Sequence, residues 1–168
     1  MTTEDERTKF YFAIGFAISQ WAHVEAALAR AFARFTGARD SFAANAAFFA
    51  AVNFNTKLEM TSAAAALKFL TQSNLLAEWN SIAKKVHKKS KVRNNFAHFT
   101  CIVRANKGDK YRYYLAMSAL DNNSILADGS PSYNHLNIMN EAHAFAELAE
   151  GVTDFLDKVI VLQPPAQL

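Results

Sequence analysis

The scarcity of helix-breaking residues constrains the fold of this chain more than any other feature. Only five Gly and three Pro occur in 168 residues, and none of them lies between Gly37 and Gly108. An all-β sandwich needs turn residues every 8–12 positions or so, and disordered or collagen-like chains are rich in Gly and Pro. Half of the residues are hydrophobic, so a chain of this length can bury a substantial core. We therefore predict a globular, mainly α-helical protein.

The first helix is predicted over residues 4–36. Its apolar side chains recur at helical spacing, as at Phe10, Trp21 and Phe35. The segment Thr3–Glu6 matches a capping box, and Gly37 is suited to end the helix in a left-handed conformation.

Four more helices are predicted over residues 40–52, 56–70, 74–99 and 133–160. Asp40 or Ser41 is expected to cap the second helix, because a short polar side chain can accept the free backbone N–H groups of a first turn. The segment Thr56–Glu59 matches a second capping box, which is expected to open the third helix.

A small β element is predicted between the fourth and fifth helices. Thr100–Val103 and Tyr111–Leu115 are rich in β-forming residues, and Asn106–Asp109 between them has the composition of a turn. Residues 121–132 are predicted to form a loop. The predicted fold is thus a helical bundle of about five helices with a β-hairpin insertion, in one domain over residues 1–162 with a tail over 163–168.

The single cysteine and the absence of a long apolar run bear on the location of the protein. Cys101 alone cannot form an internal disulfide, which suits a reducing compartment. The chain begins with acidic residues, unlike a secretory signal peptide. Its longest charge-free runs, over 10–24 and 41–56, are shorter than the ~18–20 apolar residues that span a bilayer. We expect a cytoplasmic protein with no membrane partner.

The charge of the chain is concentrated in its middle. The net charge is +3, but ten basic residues and one acid lie between Lys84 and Arg112, a local charge of +9 that leaves −6 on the rest. Such asymmetry is typical of a site for a polyanion such as RNA. The alternative is a solvated helix face followed by a basic hairpin. The candidate RNA-binding residues are Lys84, Lys85, Lys88, Lys89 and Lys91.

Several classes of site are absent from the sequence. The five glycines are isolated, so no phosphate-binding loop is present, and no two histidines have the spacing of a helix-borne zinc site. No GxSxG nucleophile motif occurs. Cys101 lies in an apolar run, which favours an inert thiol. We therefore predict no metal and no cofactor.

The segment from Arg93 to His98 is the strongest candidate site. The apolar seam of the fourth helix is predicted to consist of Leu75, Trp79, Ile82, Val86 and Ala97. Arg93 continues this seam, and a buried guanidinium needs a partner or a cleft. Asn94 and His98 are four residues apart on one face, so the amide is expected to orient the imidazole. Arg can bind phosphate in bidentate fashion, and His can transfer protons near neutral pH. In the alternative interpretation, Arg93 pairs with Glu25 on the first helix and His98 caps its own helix.

At these residues the chain resembles the HEPN superfamily of helical domains, whose signature is Arg, a polar residue, and His four to six positions after the Arg. Arg93, Asn94 and His98 match that signature, and Trp21 with Glu25 resembles a feature of bacterial members. The β-hairpin is not part of the minimal family core. The resemblance implies a homodimeric, metal-independent endoribonuclease, often a toxin with an antitoxin partner or an antiviral effector. It also implies a second hypothesis, a non-catalytic dimer that binds RNA, a nucleotide or a partner protein.

Overall fold

The computed structural model describes residues 3–106, 110–117 and 132–162, and within them the protein is a mainly α-helical bundle with a small antiparallel sheet. This confirms the predicted fold class. The described residues form five helices and three strands in the following order: α1 Thr3–Thr36, α2 Ser41–Ala50, α3 Phe54–Lys68, α4 Ser73–His98, β1 Thr100–Asn106, β2 Lys110–Ala116, β3 Ser132–Tyr133 and α5 His135–Leu162. No helix among the described residues has both the length and the apolar character needed to cross a membrane.

Local signals set the ends of the first helices. Helix α1 ends at Gly37, whose φ of 66° lies in the left-handed region that Gly tolerates without strain. The N–H of Ala38 binds the carbonyl of Ala33 at 3.2 Å, and that of Gly37 binds the carbonyl of Arg34 at 3.3 Å, the pattern of a Schellman motif. As predicted, Asp40 caps α2, accepting hydrogen bonds from two backbone N–H groups.

The start of α3 differs from the prediction. The helix begins at Phe54, and its N-cap is Asn53, whose Oδ1 accepts the N–H of Thr56 at 2.8 Å. Thr56 therefore lies inside the first turn instead of capping it. Asn and Thr both serve as N-caps, and Asn is slightly preferred, which favours the earlier start.

The sheet has three strands in the order β1-β2-β3, and all neighbours are antiparallel. The predicted hairpin is confirmed, with Arg104 opposite Arg112 in its register. The third strand was not predicted, and it places Tyr133 opposite Leu115 instead of at the start of α5. The hairpin turn at 107–109 and most of the predicted loop lie outside the described residues.

The chain divides into two compact units. The first consists of Met1–Trp21 and Lys91–Phe145, and thus contains the sheet and the candidate motif. Its largest buried side chains are aromatic. Trp21 packs edge-on against Phe145, with ring centroids 5.1 Å apart, and Phe10 contacts Tyr113 of β2 at 5.8 Å.

The second unit consists of Ala22–Ser90 and Ala146–Leu168. Phe35 lies at its centre, and its ring is in edge-on contact with those of Phe69, Trp79 and Phe155. Such aromatic contacts add roughly 0.5–1.5 kcal/mol each beyond the area they bury. A single domain over residues 1–162 stays a prediction, and the tail over 163–168 lies outside the described residues.

Candidate functional site

The candidate motif occupies the last turns of α4, in the first compact unit. The helix ends at His98, and the N–H of Phe99 still binds the carbonyl of Asn95 at 2.8 Å. Strand β1 begins at Thr100, where a run of β-forming residues follows the helix-forming residues of α4. The motif therefore lies at a junction between a helix end and an edge strand.

Three contacts with Tyr133 fix the orientation of this helix end. The ring of Phe96, which is 4% exposed, meets the Tyr133 ring edge-on at 5.1 Å. Phe99 contacts the same ring at 6.2 Å, and the amide of Asn95 donates a hydrogen bond to the Tyr133 hydroxyl at 3.1 Å. Because Phe96 faces the core, the candidate residues Asn94 and His98 face outward. Tyr133 is a positioning residue that the sequence analysis missed, since its strand pairing is not visible in local composition.

The apolar seam of α4 differs from the prediction at its end. Trp79 and Val86 are buried as expected, but Ala97 is exposed, and Phe96 occupies the core in its place. The two positions are only about 100° apart around the helix. Since burying a Phe side chain is worth more than burying an Ala methyl, the larger side chain takes the inner position.

Arg93 is half-buried and has an incomplete set of hydrogen bonds. Its Nη1 donates to Oδ1 of Asn94 at 3.3 Å, a long contact between exposed groups. Its Nε is buried and has no hydrogen-bond partner among the described residues. A buried N–H without an acceptor costs about 1–3 kcal/mol. The hydrogen-bonding capacity of the guanidinium is therefore only partly used within the described residues.

Asn94 and His98 are both exposed, but they do not form the predicted pair. The side-chain carbonyl oxygen of Asn94 accepts a hydrogen bond from the Arg93 guanidinium. In the described part of the chain no hydrogen bond joins the Asn94 amide to the His98 imidazole. The structure thus groups Arg93 with Asn94 and leaves His98 separate on the last turn.

The candidate RNA-binding lysines lie along the solvent side of α4. Four of the five are exposed, and Lys89 is half-buried with an interaction of its own. Exposure is required by both interpretations, phosphate binding and a solvated helix face. The lysines in question are Lys84, Lys85, Lys88, Lys89 and Lys91.

Glu25 lies on α1 in the second compact unit and pairs with Lys57. The two charged groups are 2.9 Å apart, and their side chains are only 20% and 12% exposed. The Lys57 ammonium also lies 5.6 Å and 5.2 Å from the ring centroids of Phe48 and Phe49. The pairing of Glu25 with Arg93 stays a prediction, because those residues belong to different units.

A cavity lies within the second compact unit. This cavity of about 560 Å³ beside the start of α4 is lined in part by Leu75, Glu78 and Lys158, and it includes none of the predicted site residues. Within the described residues, no three His, Cys, Asp or Glu side chains are grouped as metal ligands would be. Comparisons with family models, curated proteins and solved structures give no match for this chain.

Proposed function

We propose that this protein is a metal-independent endoribonuclease of the HEPN type, with Arg93, Asn94 and His98 as its reactive set. The observation that carries the proposal is Arg93, a half-buried guanidinium whose Nε lacks a partner among the described residues. Beside it are an exposed amide and, one turn further, an exposed imidazole at the helix end. The anionic oxygens of a phosphodiester are good acceptors for the N–H groups of a guanidinium.

The proposed reaction is transesterification within the RNA backbone. The 2′-oxygen attacks the adjacent phosphorus and loses its proton to a base, while the bond from phosphorus to the 5′-oxygen breaks and that oxygen gains a proton. His98 serves as the base or the acid, and Arg93 stabilises the negative charge that develops on the phosphorane. The products are a 2′,3′-cyclic phosphate and a 5′-hydroxyl. The need for a 2′-hydroxyl makes RNA, and not DNA, the substrate.

The site is proposed to be shared between two chains of a homodimer. Arg93 and His98 are about 140° apart around the helix and ~7.5 Å apart along it. Arg93 donates a hydrogen bond to Asn94, and the predicted hydrogen bond between Asn94 and the His98 imidazole is not formed. A two-fold axis beside this helix end would bring the Arg of one protomer to the His of its partner. A toxin or phage-defence role, with an antitoxin as a further partner, follows from the same resemblance.

The cleavage reaction is tested with purified protein and labelled RNA in the presence of EDTA. We expect cleavage that falls ~10²–10⁴-fold in the variant His98→Ala, since that variant lacks one proton-transfer group. His87→Ala is the matched control, because His87 is an exposed histidine on the same helix, and it should retain activity. A strand with a 2′-deoxy substitution at the cut site should resist cleavage. Equal cutting of both strands would rule out attack by the 2′-oxygen.

The shared site is tested by mixing two inactive variants, Arg93→Ala and His98→Ala. After free subunit exchange, half of the dimers are mixed, and each carries one complete composite site. We therefore expect about a quarter of the wild-type activity to return. No recovery despite confirmed exchange would show that each chain uses its own Arg93 and His98. Binding of RNA with no cleavage by the wild-type protein would favour the second hypothesis, a non-catalytic binding dimer.

A further inference from the structure

The outer face of the β-sheet carries two arginines directly opposite each other. Arg104 on β1 and Arg112 on β2 are register partners, and both are exposed. Like charges at opposed positions of an antiparallel pair are destabilising. Neither strand contains an acidic residue, and neither arginine is ion-paired among the described residues. Within the described part of the chain, the sheet therefore holds two cations together with no ion-paired anion to offset them.

The opposite face of the sheet explains why these arginines point outward. Side chains alternate between the two faces of a strand, and the other face packs on α1. There Leu115 is buried, Tyr113 contacts Phe10 at 5.8 Å, and Cys101 is hydrogen-bonded to Tyr11. The arginines thus lie on the face of the sheet opposite to the one that packs on α1, and both are exposed.

Tyr114 holds one of the two guanidinium groups in place. The central carbon of the Arg104 guanidinium lies 5.5 Å from the centroid of the Tyr114 ring. This is a cation–π contact, which orders the side chain while its N–H donors stay available. A guanidinium held in this way loses less entropy when it binds a phosphate, because its position is already restricted.

We infer that this surface, defined by Arg104, Arg112 and Tyr114, binds the phosphate backbone of single-stranded RNA. The inference rests on the proposed function, and it assigns a surface that the RNA would contact beyond the cleavage site. Strand β1 follows the candidate motif directly, and Arg104 lies four positions after Thr100 along the strand, a distance of about 13 Å. An RNA strand cut at the motif would continue over the sheet, and the two arginines would neutralise its phosphates without reading its sequence.

The inference is tested by RNA binding in the His98→Ala background, so that the RNA stays intact. The double variant Arg104→Gln/Arg112→Gln should flatten the plot of log binding constant against log salt by about 1.4, or 0.7 for each phosphate contact on a single strand. If the variant and the parent protein bind RNA equally well at 1 M salt, this change in slope makes the variant bind roughly 60-fold more weakly at about 0.05 M salt. The conservative variant Arg104→Lys/Arg112→Lys should keep the wild-type slope.

The control is the variant Arg39→Gln/Lys68→Gln, which removes the same charge at two exposed positions elsewhere. It should leave the slope unchanged. Thermal unfolding of the double arginine variant should show little change in stability, because removal of the repulsion between two like charges offsets loss of the Arg104 contact with Tyr114. An unchanged slope in that variant, or an equal change in the control, would overturn the inference.

The inference and the proposed function can fail separately. RNA cleavage by the wild-type protein together with an unchanged slope would retain the ribonuclease and remove the sheet surface. The expected slope change in a protein that does not cleave RNA would retain the surface and remove the enzyme. Absence of RNA binding would overturn the inference.

Discussion

The ion pair of Glu25 with Lys57 makes a prediction that bears on the role of Glu25. In one of the two interpretations of the sequence Glu25 is the partner of Arg93. The structure pairs Glu25 with Lys57 at 2.9 Å, in a site where both side chains are at least four-fifths buried. At that separation the Coulomb attraction is about 6 kcal/mol with an effective dielectric constant of 20. Desolvation of the two charges offsets most of it, which leaves an expected coupling free energy of about 1–3 kcal/mol.

The perturbation is a double-mutant cycle with Glu25→Gln and Lys57→Met. Glu25→Gln keeps the shape of the side chain and removes its charge. Lys57→Met also removes the cation–π contacts with Phe48 and Phe49, each worth about 0.5–1 kcal/mol. It should therefore lower the free energy of unfolding more than Glu25→Gln does. The double variant should be destabilised by less than the two single variants combined, and the difference is the coupling free energy.

The assay is urea unfolding at two salt concentrations, with an exposed pair as the control. Lys9 and Asp5 on α1 lie 3.0 Å apart, almost the same distance, but their side chains are 45% and 42% exposed. A cycle on that pair should give about 0.3–0.5 kcal/mol, and the value should decline in 1 M salt, where the screening length is about 3 Å. The Glu25–Lys57 coupling should resist salt.

The reasoning is refuted if the two cycles give the same coupling free energy, because burial would then contribute nothing. A third cycle, Glu25→Gln with Arg93→Gln, tests the pairing predicted from the sequence. A coupling of about 1–3 kcal/mol there and none with Lys57 would assign Glu25 to the motif. In the expected case Glu25→Gln leaves RNA cleavage unchanged at temperatures where the variant stays folded.

Two further predictions concern the basic helix and one tyrosine. The first replaces four lysines of α4 with Gln, namely Lys84, Lys85, Lys88 and Lys89. This variant should bind unrelated RNAs more weakly, by the same factor for each, and its salt slope should be flatter by roughly 0.7 for each phosphate that is no longer neutralised. An unchanged slope would show that these lysines form only a solvated helix face. The hydrogen bond with the Cys101 side chain raises the pKa of Tyr11. This hydrogen bond contributes its full stabilisation below the unfolded-state pKa of Tyr11, which is about 10. The stabilisation is lost as the pH rises through the higher pKa of Tyr11 in the folded state. In a titration of tyrosinate absorbance, with Tyr11→Phe to assign the signal, Cys101→Ala should lower that pKa, and an unaltered pKa would refute the cause.

The sequence alone determined most of the secondary structure, because the signals that set it are local. Gly37 tolerates the left-handed conformation that ends α1, and Asp40 reaches the free N–H groups of the next helix. The β-forming runs of the hairpin alternate between faces whatever they pack against. Where two local signals competed, as at Asn53 and Thr56, the prediction was displaced by one turn.

Only the tertiary structure decided which side chains of the motif meet. Hydrophobic periodicity cannot separate neighbouring positions such as Phe96 and Ala97, so the choice depended on the space beside Tyr133 and Phe145. The strand pairing of Tyr133 involves a segment far along the chain, which leaves no trace in the local sequence of α4. Hydrogen bonds and ion pairs depend on distances of a few tenths of an ångström between groups remote in sequence. For that reason the residue types of the candidate site could be found from the sequence, while the partner of Glu25 could not. Asn94 is bound by its neighbour Arg93, and that choice depended on the orientation of the two side chains.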